Sequence, residues 1–391
     1  MENILISSFD LEVGGVERSL ISMVDKFDYK KYNVDLMLYS HTGEFMKLLP
    51  KKPNLLDENK KYKTMRMSIL DTIKIGQILI AIGRLIARYK ARGNGYMQMQ
   101  YIWKYTLPYM EKSNKKYDVA ISYLWPHYFV SEKVVANKKI AWIHTDYSTI
   151  ETDVELDLKM WSKFDYIVAV SQECRVSFIS KYPTLKEKVR VIENITSPEF
   201  VRTQSSEKIS DFPRNKVDFN ILSVGRYCEA KGFDNAIKAL RILHDRGYTN
   251  IKWYIIGYGS DEELLKKLVI ENNLEESFIL LGKKINPYPY MKECDLYVQP
   301  SRYEGKAVTV TEAQILGRPV MITNYATANS QVENGYDGYI TELSIEGIAD
   351  GIEILYNDEN QRKKLEQNCK NKDYTNKSEL NKLYEIIERN S

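Results

Sequence analysis

Short apolar runs bounded by turn-forming residues alternate, along most of the chain, with longer segments whose apolar positions recur every three or four residues. Runs of the first kind predict buried strands, and segments of the second predict helices with one buried face. In the first half, strands are expected at 3–8, 33–39, 117–123, 139–144, 166–170 and 189–192, with a helix at 16–26 after the first of them. A polar stretch at 203–214 interrupts the pattern and predicts an interdomain connection. The alternation then resumes, with strands expected at 219–224, 253–256, 278–281, 295–298 and 319–322, and helices near 235–246, 261–271 and 345–356. A last helix is expected near 378–389. Alternation of strand and helix implies a parallel sheet with helical crossovers, so the fold class is α/β and each half should wind its own sheet.

Length agrees with two such units, because 391 residues with 43% apolar content exceed one ordinary core. The division expected is 1–202 for a first domain, 203–374 for a second and 375–391 for the final helix. Cys174, Cys228, Cys294 and Cys369 are scattered with no Cys-x-x-Cys pair, which argues against a zinc site or a disulfide framework and for a reducing, cytoplasmic location. The amino end reads as a strand, so no export signal is expected. No segment reaches the roughly eighteen apolar residues that a bilayer span needs.

Charge changes the picture in one region. The chain carries only +3, yet residues 46–117 hold sixteen Lys and Arg against four Asp and Glu, a local balance of +12. This stretch is expected to be a basic insert in the first domain. Within it, 73–89 reads as one helix, with Lys74, Gln77, Arg84 and Arg88 on one face and Ile75, Ile78, Leu79, Ile82, Leu85, Ile86 and Tyr89 on the other. The basic face suits an anionic membrane surface; an ordinary core helix beneath a solvated basic face is the other reading. No zinc-finger spacing or RNA-binding aromatic motif accompanies the charge, so no nucleic acid partner is expected.

Candidate chemistry gathers after the run at 295–298. Glu304 and Glu312 bracket what reads as a strand-loop-helix turn, closed by Gly317-Arg318-Pro319. The carboxyl ends of parallel strands are where open α/β sheets place ligands. Two further pieces precede the pair: Gly14-Gly15-Val16-Glu17 after the first strand, and Gly225-Arg226 with Lys231-Gly232 after the first strand of the second half. Together they resemble the retaining glycosyltransferases of family 4, the glycosyl transferases group 1, as found in bacterial surface-polysaccharide synthesis. The spacing of the two Glu meets that family's Glu-x7-Glu signature. The resemblance runs from Asn3 to about Ile340 and is weakest between Thr42 and Lys116. It implies a GT-B fold, two Rossmann-like domains with parallel sheets facing across a cleft, with the last helix returning to the first domain. One departure is Lys306-Ala307, where the family usually has an aromatic or leucine and then Gly or Pro, so the sugar-facing wall differs.

The resemblance also implies roles. A departing diphosphate builds negative charge, which an enzyme without metal meets with fixed cations and backbone N–H groups. Arg226 and Lys231 are the candidate cations. Glu304 is expected on the hydroxyls of the donor sugar and His144, after the run at 139–144, on the same sugar. Glu312 suits a ribose diol, since a carboxylate offers two acceptor oxygens. The amides of Lys306, Ala307 and Val308 are expected to reach the sugar or the distal phosphate. Gly14 and Gly15 open a helix whose N-terminal amides favour an anion. Residues 308–311 favour a strand by propensity, yet the family pattern makes them the start of a helix.

The activity implied is a retaining, metal-independent transfer of a hexosyl group from a nucleotide sugar, expected to be a UDP-sugar, to a glycan or polyprenyl-diphosphate-linked acceptor. No cofactor or metal site is expected. Two other readings share these residues: a catalytically silent GT-B protein that binds a glycan or a partner transferase, and a glycoside hydrolase, whose paired carboxylates would leave Arg226 and Lys231 without a use.

Overall fold

The structure is a computed structural model that describes residues 1–212, 217–304 and 306–389. Arg214, at the end of the expected connection, and Gly305, beside Glu304, lie outside the described residues. The chain divides into two compact units, Met1–Thr196 with Asn376–Ser391, and Ser197–Thr375.

The first unit holds a seven-stranded parallel sheet formed by β1 (Glu2–Ser8), β2 (Tyr32–Leu38), β3 (Asn54–Leu55), β4 (Lys116–Ser122), β5 (Val135–Ile143), β6 (Tyr166–Ala169) and β7 (Val189–Val191). Its spatial order is β3-β2-β1-β4-β5-β6-β7, so the direction of winding reverses between β1 and β4. Ile4, Leu5 and Ile6 are all fully buried, as expected of a central strand covered on both faces. The final helix, Lys377–Glu388, is part of this unit. Leu383, Ile386 and Ile387 are buried, Tyr384 stacks on Tyr32 at 5.4 Å, and the Lys138 ammonium donates to the carbonyls of Ile386 and Ile387 at 2.7 and 2.8 Å.

The second unit repeats the plan with β8 (Phe219–Val224), β9 (Ile251–Ile256), β10 (Phe278–Gly282), β11 (Leu296–Gln299), β12 (Val320–Thr323) and β13 (Tyr339–Thr341), in the order β10-β9-β8-β11-β12-β13. Its strands are apolar on both sides. Ile221, Trp253, Ile255, Leu296 and Val298 join a core with Ala236, Leu240 and Leu243 of the helix Phe233–Asp245, while Leu222, Val224, Tyr254, Ile256 and Tyr297 join another with Val310 and Ala313. Each large apolar side chain fully buried in this way contributes about 1.5–3 kcal/mol.

Two expectations change here. The described part of the stretch beginning at 203 belongs to the second unit rather than connecting the two: Phe212 is buried in the second unit's core, and Asp211 binds both Lys284 and the Tyr290 hydroxyl. The single helix expected over 73–89 is two, Ile69–Lys74 and Ile78–Lys90, broken where Gly76 adopts a φ of 79°. The apolar face is also the one left outside, although Lys74 and Arg88 are exposed as well. Arg84 turns inward and donates to the carbonyls of Thr64 and Met67 and to Thr72 Oγ1, whereas Ile78, Leu79, Ile82, Leu85, Ile86 and Tyr89 are exposed. Gly83 explains this arrangement, because it lets this helix approach the carbonyl of Tyr105 so closely that an added Cβ would sit 3.0 Å from it.

Candidate functional site

In the second unit the winding reverses between β8 and β11, and the loops leaving these two strands carry the candidate cations and the first carboxylate. Such reversal points are where open α/β sheets form their ligand crevice. Lys231 comes from the loop after β8 and Glu304 from the loop after β11, and Lys231 Nζ lies 2.5 Å from Glu304 Oε1. The loop geometry depends on Gly232, whose φ of 66° is left-handed and whose added Cβ would strike the carbonyl of Pro300.

The Glu304 carboxylate is positioned by a polar network. Ser301 Oγ donates to Oε1 at 2.6 Å and Gln299 Nε2 at 3.2 Å; Gln299 in turn accepts from the Tyr297 hydroxyl. Thr327 Oγ1 donates to the Glu304 carbonyl at 3.0 Å. Every hydrogen bond that this carboxylate receives from a described residue falls on Oε1. Arg226 is exposed, and its guanidinium has no ion-pair partner among the described residues.

Lys306, Ala307 and Val308 lead into the helix Val308–Ile315, for which Ala307 is the N-cap. Residues 308–311 are therefore helical despite their β-branched side chains, as the motif pattern expects. The amide of Ala307 is engaged: it donates to Gln331 Oε1 at 3.2 Å, and Gln331 Nε2 donates back to the Ala307 carbonyl. Glu312 is buried one turn further on and accepts from the Tyr288 hydroxyl at 2.9 Å.

The remaining candidates lie in the first unit, at the carboxyl edge of its sheet around the β1/β4 reversal. Gly14 caps the helix Gly15–Lys26, and an added Cβ at Gly15 would meet nothing within 4 Å. His144 follows β5. Its Nε2 donates to the carbonyl of Tyr123 at 2.9 Å, which makes Nδ1 the acceptor nitrogen, and that atom is buried without a partner. Burial holds its pKa down from 6.5 to about 4, with the Tyr123 carbonyl opposing weakly, so the ring is neutral. The Tyr123 hydroxyl pairs with Ser19 Oγ at 2.8 Å, and Ser19 donates to Asn194, tying the glycine-opened helix to the strand that carries His144's partner. Of the other histidines, His127 is fully buried against Trp161 at 4.6 Å and is held down to about pKa 3 by burial and then by His144.

Sequence reasoning missed Gln299, Ser301, Tyr288 and Gln331. Gln299 carried a signal, being a polar residue ending an apolar strand. Tyr288 and Gln331 carried none, since they reach Glu312 and Ala307 from elements 24 positions away in each case.

Comparison with known proteins bears on this constellation. Residues 204–372, which hold the Lys231–Glu304 pair and Glu312, match the family described as glycosyl transferases group 1. The match spans most of the second unit. Among relatives is an uncharacterized glycosyltransferase of Methanocaldococcus jannaschii, 29% identical over 170 residues, covering 43% of this chain and 42% of the relative. Another is the capsular polysaccharide biosynthesis glycosyltransferase CapM of Staphylococcus aureus, 28% identical over 218 residues, covering 52% and 55%. The chain thus spans about half the length of these two relatives. Two solved structures are similar over nearly the whole chain: Anabaena HepE in complex with UDP and glucose, at a TM-score of 0.68, 16% identity and 99% coverage of both chains, and a mutant of S. aureus TarM in complex with Fondaparinux, alpha-GlcNAc-glycerol and UDP, at 0.69, 15% and 100% of both. With two parallel-sheet α/β units, the chain shares the GT-B fold of these structures.

Proposed function

We propose that this chain transfers a hexosyl group from a nucleotide sugar, a UDP-sugar, to a hydroxyl of a glycan or polyprenyl-diphosphate-linked acceptor in cell-surface polysaccharide synthesis, with retention and without a metal ion. The observation that carries the reading is the Lys231–Glu304 pair spanning the β8/β11 reversal, with Arg226 exposed in the same loop as Lys231 and Glu312 buried on Tyr288. The family match over 204–372 supports transfer, and the UDP in the HepE and TarM structures supports the choice of nucleotide. CapM, and a Campylobacter jejuni relative named for a diphospho-undecaprenol acceptor, support the acceptor class.

In this reading Arg226 and Lys231 meet the diphosphate, and a charge-assisted hydrogen bond from each contributes about 1.5–3 kcal/mol. Glu304 Oε2 accepts from a donor-sugar hydroxyl, because the protein's own donors occupy Oε1. Glu312 accepts from the ribose diol. The acceptor oxygen attacks the anomeric carbon from the side of the leaving group, the bond from that carbon to the diphosphate oxygen breaks, and the acceptor proton passes to that phosphate oxygen as the nucleoside diphosphate departs. No protein base is consumed. His144, held neutral by burial, does not take the proton.

Turnover with nucleotide sugars in the presence and absence of acceptor tests this. Product that depends on acceptor, and falls in Glu304→Ala and Arg226→Ala, is expected; unchanged turnover in both variants overturns the site, and free sugar released equally without acceptor points to hydrolysis. Activity lost entirely in chelator and restored by magnesium contradicts the metal-independent step.

A further inference from the structure

Nine large apolar side chains, Leu70, Ile73, Ile75, Ile78, Leu79, Ile82, Leu85, Ile86 and Tyr89, are each 41–84% exposed within twenty residues of the first unit. Isolated exposed hydrophobics are ordinary, but a continuous row of them marks a surface that something covers. The row is built rather than accidental. The helix Ile78–Lys90 uses Ile80, Ala81, Gly83 and Ala87 to pack inward and spends Arg84 on backbone carbonyls, so its large side chains have only the outer face left.

Charge around the row identifies the covering surface. Asp71 within the row is paired with Lys74 at 3.1 Å, and no Asp or Glu occurs from Thr72 to Met110, whereas Arg84, Arg88, Lys90, Arg92 and Lys104 do. Arg88, Lys90 and Arg92, at the end of the apolar row, are exposed and have no ion-pair partner among the described residues. Other cations of the insert are spent: Arg66 on Asp10, Lys63 on Glu58, Lys61 on Glu111 and Lys115 on Asp35. A second copy of the chain packed symmetrically on this row would bring cations against cations with no carboxylate from 72–110 to pair them. An anionic bilayer satisfies both features at once, taking the apolar side chains at the headgroup boundary and the cations at its phosphates.

We propose that residues 70–89 form a membrane-docking ridge, with Ile78, Leu79, Ile82, Leu85, Ile86 and Tyr89 entering the headgroup boundary of an anionic bilayer and Arg88, Lys90 and Arg92 contacting its phosphates. The ridge reverses the orientation that the sequence pattern implies, since the apolar face and not the Lys74/Arg84 face meets the lipid. It holds the chain at the inner face of the cell membrane, where a polyprenyl-linked acceptor would be embedded. Docking does not require the transfer reading, because the ridge belongs to the first unit and the nucleotide residues to the second.

The test is co-flotation of the full chain with phosphatidylcholine vesicles with and without phosphatidylglycerol. The wild type should float with the anionic vesicles and not with the neutral ones. Leu85→Glu combined with Ile86→Glu should abolish flotation, and Arg88→Glu with Lys90→Glu should reduce it to the neutral-vesicle level. Both pairs are exposed, so UDP-induced thermal stabilisation and the melting temperature without ligand should match the wild type. Wild-type protein that stays with the soluble fraction, or a Leu85→Glu, Ile86→Glu variant that floats as well as wild type, overturns the proposal. So does a wild-type dimer that this variant converts to monomer, which would assign the ridge to a second copy. Flotation with no UDP binding would leave docking standing and remove the transfer reading instead.

Discussion

Lys231 and Glu304 neutralise one another at 2.5 Å, while Arg226 in the same loop as Lys231 stands exposed with no carboxylate partner among the described residues. If both meet a diphosphate as proposed, the two cations start from different states. On the proposed reading Arg226 would offer its full charge to an arriving diphosphate, whereas Lys231 would divide its attraction between Glu304 and the phosphate.

From this, Arg226→Ala should weaken UDP binding by about ten- to a hundred-fold, the equivalent of one lost charge-assisted hydrogen bond. Lys231→Met should lower kcat by more than it weakens UDP binding, since its contribution grows as the leaving diphosphate gains charge. Calorimetry with UDP and steady-state kinetics read the two effects separately. Equal loss of affinity in both variants with kcat unchanged would show that Lys231 acts in ground-state binding alone.

Tyr288 holds the buried Glu312 carboxylate at 2.9 Å. Tyr288→Phe removes one hydrogen bond to a buried charge and should cost about 1–3 kcal/mol of stability, measured by urea denaturation. It should also raise KM for the nucleotide sugar with a smaller change in kcat, because a ribose contact made equally in ground and transition states changes binding and not rate. A variant with wild-type stability would mean that other groups carry Glu312.

His127 and His144 give the stability a defined pH dependence. Burial lowers both pKa values from 6.5, to about 3 and about 4. The unfolded chain therefore takes up protons that the folded chain refuses as pH drops below about 6.5, and stability falls through the window down to about pH 4 and below. Above that window both rings are neutral in either state and the contribution is fully present. Urea midpoints at neutral and mildly acidic pH should differ less in His127→Gln than in the wild type. An equal difference would show that His127 does not contribute to the acid sensitivity.

The strands that face the site were legible because each is a run of apolar residues buried on both sides; β8 falls on 219–224 as its run predicts. The edge strands β3 and β13, two and three residues long, offer no period to read. The spacing singled out Glu304 and Glu312, and the resemblance singled out Arg226 and Lys231; the helix at 308–315 followed from motif order against local propensity. What escaped was tertiary. Nothing local tells that Gln331 takes the Ala307 amide, or that Gly83 draws its helix inward and leaves Leu85 and Ile86 outside. A 3.6-residue period divides a helix into two faces without saying which one the protein covers.

Whether the β8/β11 reversal holds a nucleotide sugar is decided by a crystal of the chain soaked with UDP. The account predicts the diphosphate within hydrogen-bond distance of Arg226 and Lys231 and the ribose on Glu312. UDP bound with all three residues remote from it would contradict the account.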